Sequence, residues 1–228
     1  MFKRAWLAGL AGVFAISAGV TAAQAETYNL TIVEGSCGGV SANCASNSPT
    51  FPSVGFVGFT GTWTSTLAGG GLNFNLPTGG LDTIGAFLAT GTGTASLTAQ
   101  NGANLSDILS AGNFLQATLF IFSGTVVGPS SGIITHDDGI GLFVNGVLIT
   151  PPNDQNPTSA EMTAYSIGAG SIGQLARLFY VAANNLPEVL ISPNFLGTPL
   201  PGTVWLFGAG LGGIAMLMRR RRRGMATA

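Results

Sequence analysis

Short runs of β-branched, aromatic and alternating apolar–polar residues, separated by Gly, Pro, Asn and Ser, recur from residue 28 to residue 191. A period of two places successive side chains on opposite faces of a strand, so this pattern predicts an all-β body. Strands are expected over 28–33, 54–67, 72–76, 95–99, 115–127, 133–135, 140–149, 165–167, 174–181 and 187–191. The sharpest local signal is Leu142-Phe143-Val144-Asn145-Gly146-Val147-Leu148-Ile149, two apolar runs joined by Asn-Gly. Both turn positions of a type I′ hairpin need positive φ, which Asn and Gly tolerate, so Asn145 is assigned to a turn. The 35 glycines of the chain oppose long helices, each costing about 1 kcal/mol relative to Ala in a helix interior. Residues 105–109 read as a helical turn, with Ser106 and Asp107 as early capping residues. The run 151–157, Pro-Pro-Asn-Asp-Gln-Asn-Pro, breaks any strand and is a loop.

Two continuous apolar runs depart from this alternation. Near the start, Lys3 and Arg4 precede an uncharged apolar stretch over 5–20, followed by Ala23-Gln24-Ala25 before Glu26. A charged head, an apolar run and a small-x-small site are the parts of a secretory signal, with cleavage expected after Ala25. Near the end, Pro199-Leu200-Pro201-Gly202 leads into an apolar run over 203–218 and then Arg219, Arg220, Arg221, Arg222 and Arg223. As a helix, residues 200–218 would span about 28 Å, just enough to cross a hydrocarbon core. Guanidinium groups resist translocation, so the arginines stay cytoplasmic and the body faces the periplasm or exterior. Gly208 and Gly212 form a small-xxx-small pair that permits close helix contact or simply marks a short tail. The expected organisation is therefore a signal peptide over 1–25, one β-sandwich body, jelly-roll-like, over 26–197, a tail over 198–223 and a short end over 224–228. The sandwich is flanked by an N-terminal signal helix and a C-terminal transmembrane helix.

The order Pro199-Leu200-Pro201-Gly202-Thr203-Val204-Trp205-Leu206-Phe207, closed by the arginine cluster, resembles the PEP-CTERM class of sorting tails. The likeness is to the variant whose motif reads Val-Pro-Leu-Pro-Ala, with Thr198 standing in place of Val and Gly202 in place of Ala. The resemblance implies recognition by an exosortase, a membrane-embedded cysteine transpeptidase, and processing near Pro199-Leu200-Pro201. It further implies passage through the inner membrane of a Gram-negative bacterium to the cell surface or extracellular matrix. An unprocessed single-pass anchor is the alternative.

Charge changes the picture of the body. Only 7% of all residues are charged, against a usual share of about 25%, so surface polarity rests on Thr, Ser, Asn and Gln. Seven of the eight cations lie in the two terminal signals, which leaves Arg177 alone in the body against nine acids, a net charge of −8. A body with one cation lacks the phosphate-binding footprint of a nucleic-acid partner. Divalent cations or neutral sugars suit it better. Cys37 and Cys44 are the chain's two cysteines, in a Gly/Ser/Asn-rich loop of an exported chain, which favours a local disulfide.

The segment His136-Asp137-Asp138-Gly139 preceding the Asn-Gly hairpin, followed later by Ala176-Arg177-Leu178-Phe179-Tyr180-Val181-Ala182-Ala183-Asn184-Asn185, resembles protective-antigen-like β-sandwich domains. The adhesin members of that family hold Ca²⁺ with two adjacent aspartates joined by a cis peptide, and the ion itself contacts a sugar. The resemblance implies that Asp137 and Asp138 are the pair and that Asn184 or Asn185 supplies the third side chain. Two carboxylates, an amide oxygen, backbone carbonyls, waters and sugar hydroxyls would meet the six to eight hard oxygens that Ca²⁺ requires. The other reading of Asp137-Asp138-Gly139 is a plain turn, with Asp bonding its own backbone and Gly at positive φ.

Catalysis has no matching residue set. Gly128-Pro129-Ser130-Ser131-Gly132 satisfies G-x-S-x-G by letter, but a nucleophile elbow needs a strand before it and a helix after it, and here a strand follows. His136 is the single histidine and reads as a polar residue flanking a turn. Glu34, Glu161 and Glu188 show no pairing in sequence. The expectation is an exported surface or matrix protein with a structural or binding role; the alternative is a Ca²⁺-dependent module that binds extracellular polysaccharide.

Overall fold

The computed structural model of the protein describes residues 25–36, 44–45, 57–111, 116–156 and 159–198. Residues 1–24 with Ala23, Cys37, and the tail from Pro199 onward, including Leu200, Pro201, Gly202, Gly208, Gly212 and Arg219 to Arg223, lie outside the described residues. Among the described residues, eleven strands form two antiparallel sheets. They are β1 Glu26–Gly35, β2 Gly58–Ser65, β3 Leu72–Leu76, β4 Gly93–Gln100, β5 Ala117–Thr125 and β6 Ser130–His136. There follow β7 Ile140–Val144, β8 Val147–Leu148, β9 Glu161–Ile167, β10 Leu175–Ala182 and β11 Glu188–Ser192. The seven-stranded sheet runs β4-β2-β1-β5-β10-β7-β8 and the four-stranded sheet β3-β11-β6-β9. The body is thus an all-β sandwich, as the alternation predicts.

Alternation builds the core directly. Tyr28, Leu30 and Ile32 of β1, Phe120 and Phe122 of β5, and Leu178 and Tyr180 of β10 share one buried face with Trp63, Phe74 and Phe195. Fully burying one such side chain contributes about 1.5–3 kcal/mol, and the rings meet at centroid separations of 4.6–6.3 Å. The opposite face is not left to water throughout. Val33, Leu119, Phe143, Phe179 and Val181 form a second apolar cluster with Cys44 and Ala45, which explains why β7 and the end of β10 are buried on both faces. Cys44 is fully buried and disulfide-bonded.

Among the described residues one α-helix, α1, spans Ile84–Thr90, where no helix was expected. Thr83 caps it by accepting from the Ala86 amide at 3.2 Å, and its apolar side carries Ile84, Phe87 and Leu88 into the core. Phe87 stacks on Phe74 at 5.0 Å and on Tyr180 at 5.6 Å. The helical turn expected over 105–109 is instead an Asx-type turn. Asp107 accepts from the Asn104 amide at 2.6 Å, and Asn104 accepts from the Ser106 amide at 2.9 Å. The hairpin joining β7 and β8 has Asn145 at φ 49 and Gly146 at φ 79, the two positive values that its sequence predicts. Residues 151–157 open with a short 3-10 helix, Pro152–Gln155.

Candidate metal centre

The turn between β6 and β7 lies at one end of the sandwich and is tied to both sheets. The Asp137 amide donates to the Val189 carbonyl of β11 at 3.0 Å, while the Gly139 carbonyl accepts from the Val181 amide of β10 at 2.9 Å. Positive φ falls on Asp138, at 60, rather than on Gly139. Glycine is required at 139 for a different reason: a Cβ there would stand 2.4 Å from the Gln155 carbonyl oxygen and 3.1 Å from that of Asn156. The turn is therefore seated against the end of the 3-10 helix.

Both aspartates are buried, at 8% and 3% exposure. The Asp137 carboxylate accepts from the Asp138 amide at 3.2 Å. That of Asp138 accepts from the Ala183 amide at 2.8 Å, which pins the start of the β10–β11 loop to the turn. Asn184 and Asn185 follow directly and are exposed, with Asn185 at φ 66. The structure thus brings the aspartate turn and the asparagine loop together through Ala183. Asp137 and Asp138 are joined by a trans peptide; the cis bond among the described residues is Leu186–Pro187.

A third carboxylate stands behind them. Glu188, fully buried at the start of β11, accepts from Ser110 Oγ at 3.0 Å and from Tyr180 Oη at 2.6 Å. Burial pushes its pKa well above the usual carboxylate range, and the nearby charges of Asp138 and Asp137 push it the same way. Burial also raises Asp137 and raises Asp82, whose carboxylate accepts from the Ser110 amide at 3.3 Å. No sequence pattern flags Glu188; its pairing with Tyr180 and Ser110 exists only because β10, β11 and the strand-to-strand loops converge here.

No arginine or lysine of the described residues faces this group. Arg177 pairs with Ser123 and Phe143 near the other end of β10, about 20 Å from Ala183 at the strand rise. There it lines a cavity of about 220 Å³ with Phe143, Asn145, Gly146 and Leu175. Burying carboxylates close together is costly, and a divalent ion relieves both the desolvation and the mutual repulsion. The donors available are hard oxygens, as Ca²⁺ prefers. Asn156, packed beside Gly139, also keeps its side-chain oxygen buried without a hydrogen-bond partner. These are donors of the type Ca²⁺ takes, while the His/Cys/Asp/Glu group whose ligand atoms lie within 4.8 Å of one another among the described residues is His136, Asp154 and Glu161.

His136 flanks the turn, as expected from sequence, but is buried rather than exposed. It is fully buried, with Nδ1 at 2.7 Å from the Asp138 carbonyl and Nε2 at 2.9 Å from Thr163 Oγ1, whose hydroxyl donates to Asp154. Its Nε2 also lies 3.8 Å from Glu161, a contact that becomes an ion pair when the ring is protonated. Burial lowers its pKa. His136, Asp154 and Glu161 bring ligand atoms within 4.8 Å of one another, but the ring already has a partner on each nitrogen and serves to clamp the turn backbone. Ser130 sits in β6, donates to the Asn194 carbonyl at 2.6 Å and lies at the opposite end of the strand from His136, so the G-x-S-x-G match forms no elbow.

No protein-family model matches the sequence, and no curated protein matches it. Among solved structures, a PA14 sugar-binding domain from an RTX adhesin is similar at 15% identity, covering 72% of this chain and 86% of that one, with a TM-score of 0.40. The PA14 domain of an antifreeze protein, MpAFP, is similar at 13% identity, covering 75% and 82%, with a TM-score of 0.39. At these scores the likeness is one of outline, and no ligand is transferred from it. Among the described residues no helix is long and apolar enough to cross a membrane.

Proposed function

We propose that this chain is an exported, non-catalytic binding protein whose body holds Ca²⁺ at the Asp137–Asp138 turn. Asn184 or Asn185 and a neutral polysaccharide would complete the shell. The observation that supports this is the burial of Asp137, Asp138 and Glu188 together at one end of the sandwich. A carboxylate has about four lone-pair sites, so Asp138 can hold the Ala183 amide and an ion at once. The exposure of Asn184 and Asn185 beside the buried pair leaves the outer side of the site open to a ligand. Export, processing of the tail by an exosortase and display at the surface or in the matrix rest on the terminal sequences alone.

Calcium titration followed by thermal unfolding tests the reading. An ion that binds only the folded state stabilises by about 2.7 kcal/mol at a hundredfold excess over Kd, a rise of about 5–11 °C for a chain of this size. Asp137→Asn combined with Asp138→Asn keeps an oxygen acceptor for Ala183 and removes the charge, so the rise should vanish while the fold remains. An unchanged midpoint in wild type would leave the turn as a hydrogen-bonded structural element and the protein as a structural component without a metal.

A further inference from the structure

The seven-stranded sheet ends in β4, an eight-residue strand with an unusual edge. Its register with β2 is continuous from Gly58↔Gln100 to Ser65↔Gly93, without a bulge. The Thr66 amide donates to the Thr92 carbonyl at 3.2 Å. Antiparallel alternation then directs the backbone groups of Thr94, Ser96 and Thr98 toward β2 and those of Ala95, Leu97 and Ala99 toward the open side. Five of the eight residues are exposed: Thr94, Ala95, Ser96, Thr98 and Ala99.

Free edges are templates for another strand, and proteins guard them with charge, proline, bulges or shortness. Here β8 is two residues long, β9 begins at the half-exposed Glu161, and β3 is five residues long and followed by Pro77. Only β4, among the described edges, has none of these guards. No charged residue occurs over 83–106, nor over 57–66 in the adjoining β2 region.

We propose that β4 pairs antiparallel with β4 of a second copy, joining two seven-stranded sheets across a two-fold axis. Electrostatics selects this occupant and this face. A body with a net charge of −8 repels its own copies, whereas an uncharged strand meets itself without like-charge contact. The outward hydroxyls are also self-complementary. Thr27, Thr64 and Thr94 form one row across β1, β2 and β4, and Thr31, Thr60 and Thr98 another, with Thr27 and Thr64 hydroxyls 3.2 Å apart. Pairing β4 with itself continues these rows into the second copy, where Thr–Ser and Thr–Thr contacts stabilise cross-strand pairs. The inference is independent of the metal site, which lies on the β6–β7 and β10–β11 connections.

The full chain in mild detergent, followed by light scattering over a concentration series with residue-resolved amide exchange, tests this. Mass should double with concentration, and the Ala95, Leu97 and Ala99 amides should become protected in step with it, while those of Thr94, Ser96 and Thr98 are protected throughout. Thr94→Lys with Thr98→Lys places guards on the strand and should hold the mass at one copy. Ala95→Pro, which removes an open-side donor without touching the β2 ladder, should do the same. A single-copy mass at every concentration, or a doubled mass that survives both variants, overturns the proposal; the second outcome would place the contact on another surface, the apolar tail included.

Discussion

Replacing Tyr180 by Phe isolates one polar contact in the middle of the candidate centre. The hydroxyl donates to Glu188 Oε2 at 2.6 Å, and both residues are fully buried, so no water can take its place. The ring keeps its packing on Phe87 at 5.6 Å and Phe120 at 6.1 Å, which separates the hydrogen bond from the hydrophobic contribution. A buried hydrogen bond contributes about 1 kcal/mol to a neutral acceptor and about 1.5–3 kcal/mol to a charged one, or about 2–12 °C in the midpoint at about 2–4 °C per kcal/mol. Ser110 still donates to the other oxygen, so Glu188 is left half satisfied rather than bare. Unfolding followed by circular dichroism without calcium should show this loss at pH 8. Burial and the charge of Asp138 favour the protonated form of Glu188, so the loss should shrink toward about 1 kcal/mol, the value for a neutral bond, as pH falls. Equal stability of Tyr180→Phe and wild type at pH 8 would refute the claim that this buried hydrogen bond stabilises the fold.

Two further outcomes follow from the same geometry. Glu188→Gln should be neutral at pH 4 and more stable than wild type at pH 8 without calcium: a folded-state pKa raised above its unfolded value contributes stability that is present at low pH and lost as pH rises through it. An advantage that fails to grow with pH in paired urea titrations counts against the shift. Gly139→Ala should cost about 1–3 kcal/mol by overpacking against the Gln155 and Asn156 carbonyls and should blunt the calcium response; a variant with wild-type stability would show that the turn is not seated there.

Much of the fold was legible because most strands alternate, β7 and the end of β10 being the ones buried on both faces. The Leu142–Ile149 segment carries its turn type in Asn145-Gly146, and the run over 72–76 is bounded by glycines on one side and proline on the other. Helix α1 was hidden because Gly85 and seven residues of weak periodicity do not announce a helix; burial of Ile84, Phe87 and Leu88 creates it. Gly85 is tolerated since a Cβ there would approach the Leu105 carbonyl at 2.9 Å. At the site, the aspartates and the asparagine loop were visible as sequence, but their meeting through the Ala183 amide was not. Glu188 and His136 gain their roles from partners 78 and 27 residues away, separations across which a sequence pattern carries no signal.

A crystal structure grown in millimolar calcium tests the account most directly. It should place one ion against carboxylate oxygens of both Asp137 and Asp138, at about 2.3–2.6 Å from each, with Asn184 or Asn185 turned toward it. A turn that keeps its Ala183 contact and binds no ion under those conditions would contradict the account.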